Sequence, residues 1–139
     1  MTYATQQDMI DRFGEQELIE LTDRDQLGVI DATVMAKALA DADAEINAYL
    51  VARYTLPLAG TPPILTKFAA DVARYQLYDT KATEQVKARY DDAVKFFKML
   101  SSGAVSLGLD PASEPVAATG SVKFSAPTRV FNDDSLGGY

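Results

Sequence analysis

The sequence predicts an all-α protein: a small bundle of two short and three longer helices, followed by an extended C-terminal arm containing short strands. Three observations carry that prediction. From position 5 to 103, apolar residues recur at steps of three and four, the spacing of one face of an α-helix. The periodic stretches are bounded by residues suited to start or stop helices, such as Thr5, Gly14, Asp31, Pro57, Thr83 and Gly103. Beyond Ala104 the period vanishes, and glycine, proline, serine and alanine dominate. The expected division is a helical domain over 1–103 and an arm over 104–139.

Thr5 opens the first helix, TQQDMIDRF, and Asp8 stands where a capping box places its acid. Met9, Ile10 and Phe13 form its inner face, and Gly14 is suited to close it. The second helix runs from about Glu15 to Thr22 and turns Leu18, Ile19 and Leu21 inward, with glutamates at its N-terminal end, where the dipole favours them. DRDQLGVI is a loop, with a turn at Gly28 and Val29-Ile30 expected to fold back on the core.

Asp31 caps the longest helix. Its stripe is Met35, Leu39, Ala42, Ile46, Tyr49 and the stem of Arg53, widened by Val34, Ala38 and Leu50. It is predicted to reach Arg53 or Tyr54, because Pro57 disfavours helix at Leu56. TLPLAGTPP holds three of the six prolines and reads as a rigid connector. Pro62 or Pro63 starts the fourth helix, which sets Leu65, Phe68, Val72, Tyr75 and Asp79 along one side. Ala69 and Ala73 are small enough to let the long helix approach closely. TKAT interrupts, Thr83 caps the last helix, and Val86, Tyr90, Ala93, Val94, Phe97 and Leu100 face inward before Gly103 ends it.

Val105 and Leu107 alternate with small residues and are predicted to form a short strand, as are Val122 to Phe124. The arm is not a polar tract: Phe124, Val130, Phe131, Leu136 and Tyr139 are spaced along it. Such anchors are expected to dock, on another chain or on the arm's own domain.

Composition narrows the function. There is no cysteine, so disulfides and thiolate metal sites are excluded, and no histidine, the commonest general base and transition-metal ligand. No run approaches the roughly 18 apolar residues of a membrane span, and MTYATQQDMIDRF lacks the basic and apolar regions of a signal peptide. The formal net charge is −7, which argues against a protein whose task is wrapping nucleic acid. The charge is divided. Residues 1–50 hold three basic and eleven acidic side chains, whereas residues 51–103 hold eight basic and five acidic. A chain acidic at one end and basic in the middle can associate head to tail, or simply present solvated faces.

No catalytic, cofactor-binding or metal-binding residues are assigned. Asp41, Asp43 and Glu45 imitate the start of a calcium loop, but Ile46 and Ala52 occupy the positions that need glycine and glutamate. They read instead as an acidic helix face, solvated or meeting a basic partner. Asp23 and Asp25, with Asp31, form only a weak case for a metal-dependent hydrolase. Tyr75 and Tyr78 fall on one helix and, with Asp41, Asp43 and Glu45, make the candidate helix interface.

Four segments carry a family resemblance: TYATQQDMIDRFGEQELIELTD; DADAEINAYLVARYTLPL; TPPILTKFAADVARYQLYD; and FFKMLSSGAVSLG with the terminal Arg-Val-Phe…Asp-Ser-Leu-Gly-Gly-Tyr. Together they resemble the head–tail connector, or neck adaptor, proteins of Mu-like phages and prophages. The resemblance covers nearly the whole chain except Asp110 to Lys123. It implies a structural virion protein at the neck, in the host cytoplasm during assembly. By that resemblance, copies form a head-to-tail ring, expected to be dodecameric, beneath the portal protein. DNA passes through the ring without sequence-specific binding, and the far face meets the next neck or tail-completion protein. The arm residues Phe124, Arg129, Val130, Phe131, Leu136 and Tyr139 are the expected docking residues. The alternative from the residues alone is a small helical regulatory or adaptor protein that binds one partner.

Overall fold

The structure is a computed structural model and describes residues 2–109. Among these residues five α-helices follow one another: α1 (Gln6–Phe13), α2 (Glu15–Thr22), α3 (Ala32–Leu50), α4 (Pro63–Tyr78) and α5 (Glu84–Ser102), with a 3-10 turn, Asp79–Lys81, between α4 and α5. Among the described residues there is no strand.

The helix ends follow the sequence signals closely. Thr5 and Asp8 form the full capping box on α1: the Asp8 N–H donates to the Thr5 hydroxyl, and the Thr5 N–H donates back to the Asp8 carboxylate at 2.8 Å. Gly14, at φ +89°, closes α1 and opens α2 in one residue, a conformation that a Cβ would strain. Asp31 accepts from the Thr33 and Val34 N–H groups at the start of α3, and Thr83 accepts from Val86 at the start of α5. Pro63 takes the first position of α4, where its missing N–H costs nothing. Gly103 ends α5 in the left-handed conformation, φ +86°.

The regular part of α3 stops at Leu50, short of the predicted Arg53 or Tyr54. The ladder tightens rather than breaks: Tyr54 still donates to the Leu50 carbonyl at 2.8 Å, while Arg53 donates to the same oxygen over a shorter loop. Tyr54 is buried and helps to close that end of the domain.

Ring contacts give the helix directions. Tyr49 of α3 stacks on Phe97 of α5 with centroids 5.8 Å apart, Phe68 of α4 meets Phe97 edge-on at 6.0 Å, and Tyr75 lies flat on Tyr90 at 4.0 Å. Thus α4 runs antiparallel to both α3 and α5, and the α1–α2 pair lies against α4. The core is Met9, Leu18, Met35, Ile46, Leu50, Leu65, Val72, Phe97 and Leu100, all fully buried. A side chain such as Phe97 contributes about 1.5–3 kcal/mol by leaving water.

One side of α4 was expected to be buried, but the helix is enclosed on more than one. Ala69, Ala70, Asp71 and Ala73 are buried besides Leu65, Phe68 and Val72, because α3, α5 and the α1–α2 pair all rest on it. Tyr75 is only half-buried, and Asp79 is exposed at φ +52°. In the α2–α3 loop, Ile30 packs on the core, but Val29 stays out at 57% exposure.

The strand expected at Val105 to Leu107 is not formed. The backbone N–H groups there are spent on the end of α5 and on a side chain: Ala104 donates to the Met99 carbonyl at 2.9 Å, and Leu107 donates to the Tyr54 hydroxyl at 3.2 Å. Leu107 is buried against its own domain, with Val105 and Leu109 half-buried beside it. The second expected strand, and the docking residues Phe124, Arg129, Val130, Phe131, Leu136 and Tyr139, lie outside the described residues.

Candidate functional site

A cleft of about 410 Å³ forms where α1 and α5 flank α4. Arg12 and Phe13 come from the end of α1, Lys67, Phe68 and Asp71 from the first half of α4, and Arg89 and Asp92 from the middle of α5. Residue 71 lies four positions after 67 and three after 68, so its side chain neighbours both on the helix surface.

Asp71 is the unusual member. It is only 7% exposed, yet among the described residues no hydrogen bond reaches its carboxylate. Burial pushes its pKa above the usual aspartate value, opposed by the positive charges of Arg89, Lys67, Arg12 and Arg74. The walls combine cations and rings. The Lys67 ammonium sits 4.5 Å from the Phe68 centroid, and Phe68 stacks on Phe96 at 4.6 Å. Three cations, two carboxylates and two aromatic rings make a surface suited to a chain segment of mixed charge with an aromatic anchor.

Beside the cleft, Arg74 ties the α1–α2 pair to α4. Its Nη2 donates to Glu17 Oε1 at 2.7 Å, and the Tyr78 hydroxyl donates to the same oxygen at 2.7 Å. The guanidinium lies 4.4 Å from the Phe13 ring centroid. The pairing is incomplete: buried Glu17 Oε2 and Arg74 Nε have no partner among the described residues. Burial, then the Glu17 hydrogen bond and charge, raise the Tyr78 pKa.

The candidate interface residues are spread over this frame, and four of the five take part in contacts within the chain. Asp43 accepts from the Tyr3 N–H at 2.9 Å, and the Tyr3 hydroxyl bonds to Asn47. Glu45 accepts from the Tyr90 hydroxyl at 2.6 Å, Tyr75 covers the Tyr90 ring, and Tyr78 holds Glu17. Asp41 alone is exposed, in a shallow hollow with Arg24, Lys37 and Asp79. The acidic loop has a local task as well. Asp23 accepts from Leu27 at 2.9 Å and Gly28 at 2.6 Å, holding the turn, while Asp31 caps α3. Among the described residues, no group of three acidic side chains stands close enough to hold a metal ion, and no helix is long and apolar enough to cross a membrane.

The sequence reading missed the cleft, although one signal was present. In Phe68-Ala-Ala-Asp-Val-Ala-Arg74 an aspartate sits three residues after a core phenylalanine and directly before a core valine. An acid inside the buried period of a helix is costly and so marks a special environment.

Relatives of the chain define its class as a protein of Mu-like phages and prophages. It is 30% identical over 137 residues to the Mu-like prophage FluMu protein gp36 of Haemophilus influenzae, covering 99% of this chain and 97% of that one. It is 36% identical over 111 residues to gene product J of Escherichia phage Mu, covering 79% of each. The family model described as "Bacteriophage Mu, Gp36" matches residues 3–126, and the chain belongs to that family.

Proposed function

We propose that the protein is a head–tail connector, a neck adaptor whose copies close into a ring under the phage portal and join the DNA-filled head to the tail. Its family is one of Mu-like phage proteins, and this finer role is our reading of its shape and charge. The observation that carries it is that the two ends of the bundle carry different uncovered apolar side chains. Leu27 and Val29, 73% and 57% exposed, project from the loop that leads into α3. Val51 and Ile64, 66% and 37% exposed, stand at the other end, after α3 and at the start of α4. Both sites are aliphatic but lie at opposite ends of the bundle, so contact between one and the other is head to tail. Contacts of that kind generate a ring when the rotation closes.

Charge supports the same geometry. The segment through α3 is strongly acidic, and the segment containing α4 and α5 is basic on balance. Acidic helices facing a channel repel DNA and let it slide, while opposite charges meet between neighbours. The ring is expected to be dodecameric, with the portal on one face and the next neck or tail-completion protein on the other. Arm residues Phe124 to Tyr139 serve as straps between components. The work is assembly, with no substrate turned over.

Electron microscopy of the full chain mixed with its portal protein tests this reading. Rings seated on the portal are expected, and Leu27→Ser with Val51→Ser should abolish them while leaving the helical circular dichroism unchanged. A single copy bound to one partner, with no ring, would favour the small helical adaptor instead.

A further inference from the structure

We propose that the cleft between α1, α4 and α5 is the seat for Arg129–Asp134, RVFNDD, of a neighbouring copy. The inference rests on the ring reading and names the partner that the cleft takes.

The chemistry of the two surfaces corresponds. The cleft offers the carboxylate of Asp71, a residue 7% exposed that has no hydrogen bond among the described residues, with Asp92 on its rim. Arg129 supplies a cation with several N–H donors, which such a carboxylate needs. Phe13 and Phe68 form apolar walls, and Phe131 supplies a ring. Exposed Arg12, Lys67 and Arg89 ring the opening, and Asp133 and Asp134 supply two adjacent negative charges. No other stretch of the chain beyond Leu109 places a cation, an aromatic ring and two acids within six residues.

Length is consistent as well. Packed helices lie about 8–10 Å apart, so the distance from α1 across α4 to α5 is about 16–20 Å. Six extended residues cover about 20 Å. The nineteen residues 110–128 separate Leu109 from the segment and reach up to about 60 Å when extended. That exceeds the roughly 30 Å length of a helix such as α3, so the segment can leave its own copy and reach the next.

The test exploits the absence of native cysteine. The full-length double variant Asp92→Cys, Asn132→Cys is mixed with portal protein, oxidised mildly and resolved on a non-reducing gel. A ladder of two or more chains is expected, forming at least tenfold faster than with the control pair Asp41→Cys, Asn132→Cys. Adding Asp133→Lys and Asp134→Lys should remove the ladder. Arg12→Glu and Arg89→Glu, introduced into the same cysteine variant, should restore it. A bridge confined to single chains, or a ladder no faster than the control, overturns the proposal. Microscopy of the unmodified protein separates the two readings: rings without the ladder reject the cleft alone, whereas no rings reject both.

Discussion

The Tyr90 hydroxyl donates to the Glu45 carboxylate at 2.6 Å, while the Tyr90 ring lies flat on Tyr75. One side chain of α5 thereby holds α3 through its polar tip and α4 through its face. Tyr90→Phe keeps the stacking and removes only the bond. It should cost about 1.5 kcal/mol in urea unfolding, the bottom of the range for a hydrogen bond to a charged group, because the pair is only half-buried.

Alkaline conditions should weaken the domain. Burial raises the pKa of Tyr3, Tyr78 and Tyr90 above the ordinary 10.0, helped by the nearby carboxylates Asp43, Glu17 and Glu45 respectively. A group whose folded pKa is raised keeps its proton more tightly when folded. Its contribution to stability is therefore complete below about pH 10 and lost as pH rises further. Thermal melts followed by circular dichroism should show a falling midpoint above pH 10, less steeply in Tyr90→Phe.

Asp71→Asn should stabilise the isolated protein at pH 7 by on the order of 1 kcal/mol, because it removes a buried charge that lacks a hydrogen bond. The raised Asp71 pKa gives the sign: this group's contribution is favourable below about pH 4 and is lost as pH rises. The variant should therefore lose part of the dependence of stability on pH in mildly acidic urea titrations. On the cleft reading it should also weaken the cross-linking described above.

Arg74→Ala should cost about 2–3 kcal/mol, since it leaves Glu17 charged and half-buried and removes the contact with Phe13. Arg74→Lys should recover only part of this, because an ammonium cannot reproduce the planar contact with the ring. Hydrogen exchange should locate the loosened segment at α1 and α2, with α3 to α5 still protected.

Deleting Thr128 to Tyr139 should leave the helical signal unchanged and the unfolding free energy within about 1 kcal/mol of the full chain, since the described core is built from residues 3–107. Association with the portal should fall. Normal assembly by the shortened protein would refute the strap role of the arm.

Local signals made most of the fold legible. Thr5, Asp31, Pro63, Thr83 and Gly103 act at the helix ends where their chemistry suits them. Periodicity recovered the buried Met35, Ile46, Val72, Val86 and Phe97. What it could not show was which helix lies in the middle. Ala70 and Asp71 look outward on a one-faced helical wheel, and only the packing of three neighbours on α4 buries them. The candidate site was hidden for the same reason, because Arg12, Asp71 and Arg89 are separated along the chain and meet only through tertiary packing. Leu107 illustrates the remaining difference. Alternation with small residues suggested a strand, but a strand needs a pairing backbone, and the hydroxyl of Tyr54 took its N–H instead.

That last bond adds a second attachment for a chain that is pulled from its C-terminal side. A load placed on the arm meets Leu109 and Leu107, both packed on the domain, and Leu107 is also bonded to Tyr54, before it reaches the end of α5. Tyr54 belongs to the turn that finishes α3, so tension is divided between two helices before either must unwind. On the connector proposal, such a split attachment would resist peeling one helix at a time.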